Sequence, residues 1–144
     1  MTSATSGASY DVVAAAIVRD GSVLLARRRH PPRLAGRWEL PGGKVEPGES
    51  DAGALTRECR EELDVEIRVI ARIGPQIVTV DGHGALRAYL AEIVDGREPR
   101  AIDHDELRWV RADDLGSLDL LEPDRPLVDA LRTWSEARRG DTPT

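Results

Sequence analysis

Residues 40–67 read LPGGKVEPGESDAGALTRECREELDVEI: a glycine-rich loop that runs straight into a short helix carrying Glu58, Glu61 and Glu62. At about 100° per residue these three carboxylates fall in one narrow sector, while Leu55, Cys59 and Leu63 form an apolar stripe roughly a quarter-turn or slightly more away. The spacing predicts a helix from a Ser50 or Asp51 cap to about Leu63, docked on a sheet through that stripe. Cys59 then reads as a small core residue, not a nucleophile. Two accounts of the glutamates stand at this point. A solvated acidic face, eased by Arg57 and Glu61 at i,i+4, is the ordinary one. The other rests on PGGKVEPGE, where glycines let backbone groups approach a ligand and Glu49 is available to hold the loop against the helix. Clustered carboxylates beside exposed backbone oxygen make a hard-oxygen site suited to Mg²⁺ or Mn²⁺, cations that keep waters and bridge phosphates.

Working outward, YDVVAAAIVRDGSVLLARRR gives two strands around the turn pair Asp20-Gly21, a hairpin signal, and HPPRLAGRW reads as a loop. After the helix, VEIRVIARIG, PQIVTVDG and LRAYLAEIV read as three strands separated by Gly-Pro and Asp-Gly-His-Gly punctuation. ELRWVRADDL is a short strand entering a turn. RPLVDALRTWSEARR is an amphipathic helix with Pro126 in its first turn and Leu127, Ala130, Leu131 and Trp134 on one face. Two helices, one early and one at the end, around a mixed sheet predict an α/β sandwich. Small polar residues at both ends predict loose tails at 1–9 and 140–144, with one domain at 10–139.

A length of 144 residues suits one core without disulfides or structural metal, and the lack of Phe leaves that core to Val, Ile, Leu and Ala. A net charge of -6 with no basic stripe disfavours a polynucleotide partner. A small phosphorylated ligand stays open, because bound cations and a few placed arginines outweigh screened distant charge. One cysteine forms no internal disulfide, no segment approaches the length of a membrane span, and the N-terminus lacks signal-peptide character, so a cytoplasmic protein is expected.

The loop and helix closely resemble the signature of the Nudix hydrolases, G-x5-E-x7-R-E-U-x-E-E-x-G-U with U bulky and apolar. Gly43 opens it, Glu49 follows, then Arg57-Glu58, Glu61-Glu62 and Val65. Two positions depart: Cys59 stands where Leu, Ile or Val is preferred, and Asp64 where the terminal glycine belongs. Asp tolerates a left-handed helix end better than most residues, so the departure bears on the helix end more than on the chemistry. The resemblance extends from about Val12 to Leu131 and is closest to MutT-type nucleoside triphosphate pyrophosphohydrolases, including the cytidine-nucleotide branch. It implies a Nudix-type α/β/α sandwich with a mixed sheet, Mg²⁺ (or Mn²⁺) as cofactor, and a monomer or homodimer acting on a small nucleotide.

Carried over by position, the resemblance implies metal ligation by Glu58, Glu61 and Glu62 with the Gly42 carbonyl, and by Asp103 or its neighbours His104, Asp105 and Glu106. Glu58 is also a candidate to activate the attacking water, while Arg57 and Glu49 would organise the site. Arg28 matches a phosphate-contacting position and is equally readable as a surface arginine. Trp38 reads as a base-pocket wall or, more ordinarily, as core. Asp124 matches the position that meets the base edge, where a carboxylate accepts from cytosine N4; capping of the last helix is the competing account. The implied reaction is hydrolysis of CTP, dCTP, 5-methyl-dCTP or 8-oxo-dGTP to the monophosphate and pyrophosphate. ADP-ribose hydrolysis and a non-catalytic nucleotide-sensing module are the alternatives.

Overall fold

The computed structural model describes residues 10–79 and 84–140. The expected tail at 1–9, most of the one at 140–144 and most of the Asp-Gly-His-Gly turn lie outside the described residues. Strands β1 (Val12–Arg19) and β2 (Ser22–Arg27) form the expected hairpin, with Asp20 and Gly21 both at positive φ, 52° and 81°. Two successive left-handed residues give the turn whose twist matches the strands it joins.

Strand β1 is central. One of its edges pairs in parallel with β6 (Ala85–Ile93), from Val12 opposite Leu86 to Ile17 opposite Ala91. Its other edge is shared: β4 (Gly42–Lys44) takes Val12, Val13 and Ala14, and β2 takes Val18 and Arg19. Strands β3 (Trp38–Glu39) and β7 (Glu106–Arg111) flank β2, and β5 (Ile67–Val78) closes the far side beyond β6. The sheet is therefore mixed.

Alternation along β1 feeds two cores, which is why its sequence shows no polar face. Val13, Ala15 and Ile17 pack with Leu24 under Ala54, Leu55, Cys59 and Leu63 of α1 (Asp51–Leu63). Ala14 and Ala16 pack with Val23 and Leu25 under Leu127 and Leu131 of α2 (Arg125–Gly140). Helices on both faces of one sheet give the α/β sandwich expected from the sequence. Among the described residues no helix is long and apolar enough to cross a membrane.

One expectation is corrected. VEIRVIARIG and PQIVTVDG are not two strands separated at Gly74-Pro75 but one strand, β5, with an irregular register between Ile73 and Ile77. The strand lies at the end of the sheet order, where a residue without an N–H is tolerated. Gly74, at φ 76°, lets α2 come close: a Cβ there would stand 2.7 Å from Leu127 Cδ2.

Candidate active site

The N-terminus of α1 is capped by Ser50, whose Oγ accepts from Gly53 N–H at 3.0 Å. Asp51 is gripped from β6 by Arg87, at 2.7 and 2.9 Å, and by the Tyr89 hydroxyl at 2.5 Å. At the other end Asp64 takes the left-handed conformation, φ 57° and ψ 42°, in place of the signature's glycine. Its carboxylate pairs with Arg97 at 3.1 Å and Arg100 at 3.6 Å. Arg100 and Ile102 then donate their backbone N–H groups to the carbonyls of Leu63 and Glu62. The orphan carbonyls at the helix end are thus filled by the loop that carries Asp103 and His104.

The glycine pair has a steric cause. A Cβ on Gly42 would lie 2.0 Å from the Val13 carbonyl oxygen, and one on Gly43 would lie 1.8 Å from Glu58 Oε2. The bare backbone of β4 is what allows the carboxylate of α1 to rest against the strand. Arg57 ties the intervening loop to the helix with a two-pronged contact to Glu49, at 2.8 and 2.9 Å, and a 3.0 Å bond to the Lys44 carbonyl. Glu49 is held down at about 2, chiefly by the Arg57 hydrogen bonds.

Glu58 and Glu62, one turn apart, are mostly buried and close enough for their charges to act on each other. Burial raises both above the usual carboxylate range. For Glu62 the neighbouring charges of Glu58, Glu39 and Asp103 push further in the same direction. Glu61 is elsewhere: its side chain is 59% exposed and turned toward Arg57 at 3.5 Å. Cys59 is fully packed in the core and burial pushes its thiol up to about 12, which removes it from nucleophilic chemistry.

Beside this pair opens a cavity of about 420 Å³, within the usual size of a small-ligand site. Gly42, Gly43, Glu62, Asp103, Arg28 and Asp124 all contribute to its wall. Arg28 donates to Glu39 at 3.0 and 3.3 Å, and Glu39 meets His104 Nε2 at 2.9 Å. Asp124 is buried and its Oδ2 accepts from Leu40 N–H at 2.9 Å. Burial lifts its carboxyl to about 7; the Leu40 N–H and Arg28 oppose the lift and Glu39 adds to it.

The NUDIX domain model matches residues 9–131, an interval holding every one of these side chains. The chain belongs to the Nudix family. It is 49% identical over 126 residues to a Mycobacterium tuberculosis protein named putative 8-oxo-dGTP diphosphatase 2, covering 85% of this chain and 88% of that one. It is 35% identical over 144 residues to the Escherichia coli CTP pyrophosphohydrolase, covering 91% and 97%. The solution structure of the E. coli ORF135 protein matches with a TM-score of 0.76 and 37% identity, over 93% of this chain and 96% of that one. The chain is accordingly a Nudix hydrolase, an enzyme of the class that acts on small nucleotides.

A divalent ion is the cofactor this family implies, and the donor chemistry here fits one. Glu58 and Glu62 offer hard carboxylate oxygens, their mutual repulsion is relieved by a cation, and Gly42 borders the same space. Among the described residues no three His, Cys, Asp or Glu side chains form a ready-made cage. Such an ion would be completed by water and substrate oxygen, the pattern Mg²⁺ favours.

Two residues of the expected set lie away from the cavity, Trp38 in keeping with its more ordinary reading as core. Trp38 does not line the cavity: it is 6% exposed within the α2-side core, with the Arg27 and Arg108 guanidiniums over its ring. Successive strand residues face opposite ways, so in β3 the cavity side belongs to Glu39. Glu61 does not line the cavity either; its exposed side chain lies 3.5 Å from Arg57. Glu39 was missed from the sequence, and its signal was there: an acid between apolar Trp38 and Leu40 in a buried strand. His104, readable as an ordinary loop residue, is in fact buried against Glu39.

Proposed function

We propose that this Nudix hydrolase cleaves nucleoside triphosphates to monophosphate and pyrophosphate with Mg²⁺, prefers a cytosine base (CTP, dCTP or 5-methyl-dCTP), and serves to cleanse the nucleotide pool. The observation that carries the proposal is one cavity holding both the buried acid Asp124 and the Glu62 edge of the carboxylate pair. A carboxylate at the closed end accepts from an exocyclic amine such as cytosine N4 and fits guanine O6 poorly. The name of the E. coli relative agrees with that choice.

A bound divalent ion would supply charge neutralisation at the phosphoanhydride and activation of water. The protein's own groups do the rest. Glu58, pressed on Gly43 and beside Glu62, is the candidate to take the proton of the attacking water. Arg28, steadied by Glu39, meets phosphate. Asp103 at the cavity rim adds an oxygen donor, and Arg57 with Glu49 holds the loop that fixes Glu58.

A second substrate, 8-oxo-dGTP, is favoured by the lift of Asp124 to about 7, because a protonated carboxyl donates where a carboxylate only accepts. The name of the M. tuberculosis relative agrees with it. A panel of triphosphates in ¹⁸O-labelled water decides the base and the bond broken. Pyrophosphate release fastest from a cytidine triphosphate supports the proposal. Cleavage of ADP-ribose without pyrophosphate release, or a triphosphate left intact for hours with Mg²⁺, defeats it.

A further inference from the structure

His104 lies inside the molecule, 6% exposed, between two halves of the site that belong to different elements. On one side its Nε2 is 2.9 Å from Glu39 Oε2, and the other oxygen of Glu39 accepts from Arg28 at 3.0 Å. On the other side its Nδ1 faces Glu62 Oε1 at 3.8 Å. That nitrogen is fully buried and has no hydrogen-bond partner. Buried polar atoms are paired in nearly every native structure, so an unpaired one at a cavity wall calls for a functional account. The imidazole is held from behind: Ile102 N–H is bonded to the Glu62 carbonyl, and Asp105 N–H to that of Arg27. With its backbone fixed on both flanks, a small rotation of Glu62 or of the ring closes the 3.8 Å gap.

We propose that His104 is a positioning residue shared by the two halves of the site, holding the Arg28–Glu39 pair for binding through Nε2 and Glu62 for turnover through Nδ1. The inference rests on the reading of the cavity as a triphosphate site. Each nitrogen has a separate task. Nε2 keeps Glu39, and through it Arg28, in place for binding. Nδ1 holds Glu62 in its working orientation during turnover. Both partners are carboxylates, so the imidazole meets the two at once when each ring nitrogen carries a proton or Glu62 does, and the amide of each variant turns its N–H₂ to the one carboxylate it reaches.

The test uses the full chain with His104→Gln, whose amide falls where Nε2 stood, and His104→Asn, whose amide falls where Nδ1 stood. Each variant is measured for melting temperature, for calorimetric binding of a non-hydrolysable cytidine triphosphate analogue in EDTA, and for kcat and KM on CTP with Mg²⁺. Both should melt within a few degrees of the parent. His104→Asn should weaken metal-free binding and raise KM about tenfold, the effect of one lost hydrogen bond, with kcat falling less than about threefold. His104→Gln should bind like the parent and lose about tenfold in kcat. Rescue split in this way is not the signature of a residue that merely fills space. Equal losses in both variants, or none in either, overturn this division of roles while a parent that still cleaves CTP leaves the functional reading intact. A parent that neither binds nor cleaves any triphosphate overturns both.

Discussion

Replacing Asp124 with Asn tests the buried end of the cavity through stability and specificity at once. The carboxyl is buried in the cavity wall and titrates at about 7 instead of the ordinary 3.8. A carboxyl raised in the folded state contributes its stability below the unfolded value, and loses it as pH climbs through the folded one. The parent should therefore lose stability between about pH 4 and 7 and level off above. At about 1.4 kcal/mol per pH unit, holding the charge at pH 8 costs up to about 4 kcal/mol, and local relaxation reduces that to about 2–4 kcal/mol. Asn has the same shape, keeps an oxygen to accept from Leu40 N–H, and carries no charge. Urea unfolding of the nucleotide-free chain should show Asp124→Asn more stable by about 2–4 kcal/mol at pH 8 and within about 1 kcal/mol at pH 4.5. Taking the difference between variant and parent cancels most of the titration of Glu58 and Glu62. With its oxygen committed to Leu40, the amide turns an N–H₂ toward the base in place of an acceptor. The value of kcat/KM for CTP should then fall about tenfold to a hundredfold, and that for 8-oxo-dGTP should fall less. A variant less stable than the parent at pH 8, or a difference that ignores pH, would refute the reasoning.

Other perturbations follow from the same geometry. Glu62→Gln should lower kcat about a hundredfold or more; it should also abolish the rise in melting temperature expected when Mg²⁺ is added to the parent, and a near-normal rate would take Glu62 out of the mechanism. Gly43→Ala and Gly42→Ala should part company. The first meets only the tip of Glu58 and should leave circular dichroism and melting near normal while activity collapses. The second meets the Val13 carbonyl itself and should cost about 3 kcal/mol or more in stability, measured by denaturant unfolding. Arg57→Lys forfeits the fork that grips Glu49, so kcat should drop about tenfold and limited proteolysis should cut the 44–49 loop faster, with the overall fold unchanged.

What the sequence revealed and what it hid divide along a physical line. Local chemistry was legible: Asp20-Gly21 demanded a mirror-type turn, Ser50 a cap, and the Leu55, Cys59, Leu63 spacing a docked helix, because each depends on residues within a turn or two. The signature residues were legible because their spacing is itself local. The failures depend on long-range pairing. Gly74-Pro75 looked like a break, yet at the end of the sheet order a strand can absorb both residues as an irregularity and continue to pair with β6. Glu61 looked equivalent to Glu58 and Glu62 on a helical wheel, but the wheel does not contain the position of β4, against which Glu58 rests. Trp38 and Glu39 are neighbours in a two-residue strand, and which of them faces the cavity is decided only by how β2 and β3 pair.

The odd residue at the end of the signature shows how these levels connect. Glycine would adopt the left-handed conformation at Asp64 freely, whereas a side chain there carries a strain of about 1 kcal/mol, less for Asp than for most residues. The pairs with Arg97 and Arg100 are solvent-exposed and each contributes at most about 1 kcal/mol. The two effects roughly cancel, so stability alone gives little reason for the aspartate. Its consequence is positional: the arginines it draws in belong to the segment whose Arg100 and Ile102 N–H groups close the helix on the carbonyls of Leu63 and Glu62. That segment delivers Asp103 to the cavity rim and His104 to Glu39. The segment that closes the helix is therefore also the one that completes the site, and the backbone bond that satisfies the Glu62 carbonyl anchors the loop carrying two neighbours of the Glu62 carboxyl, Asp103 and His104.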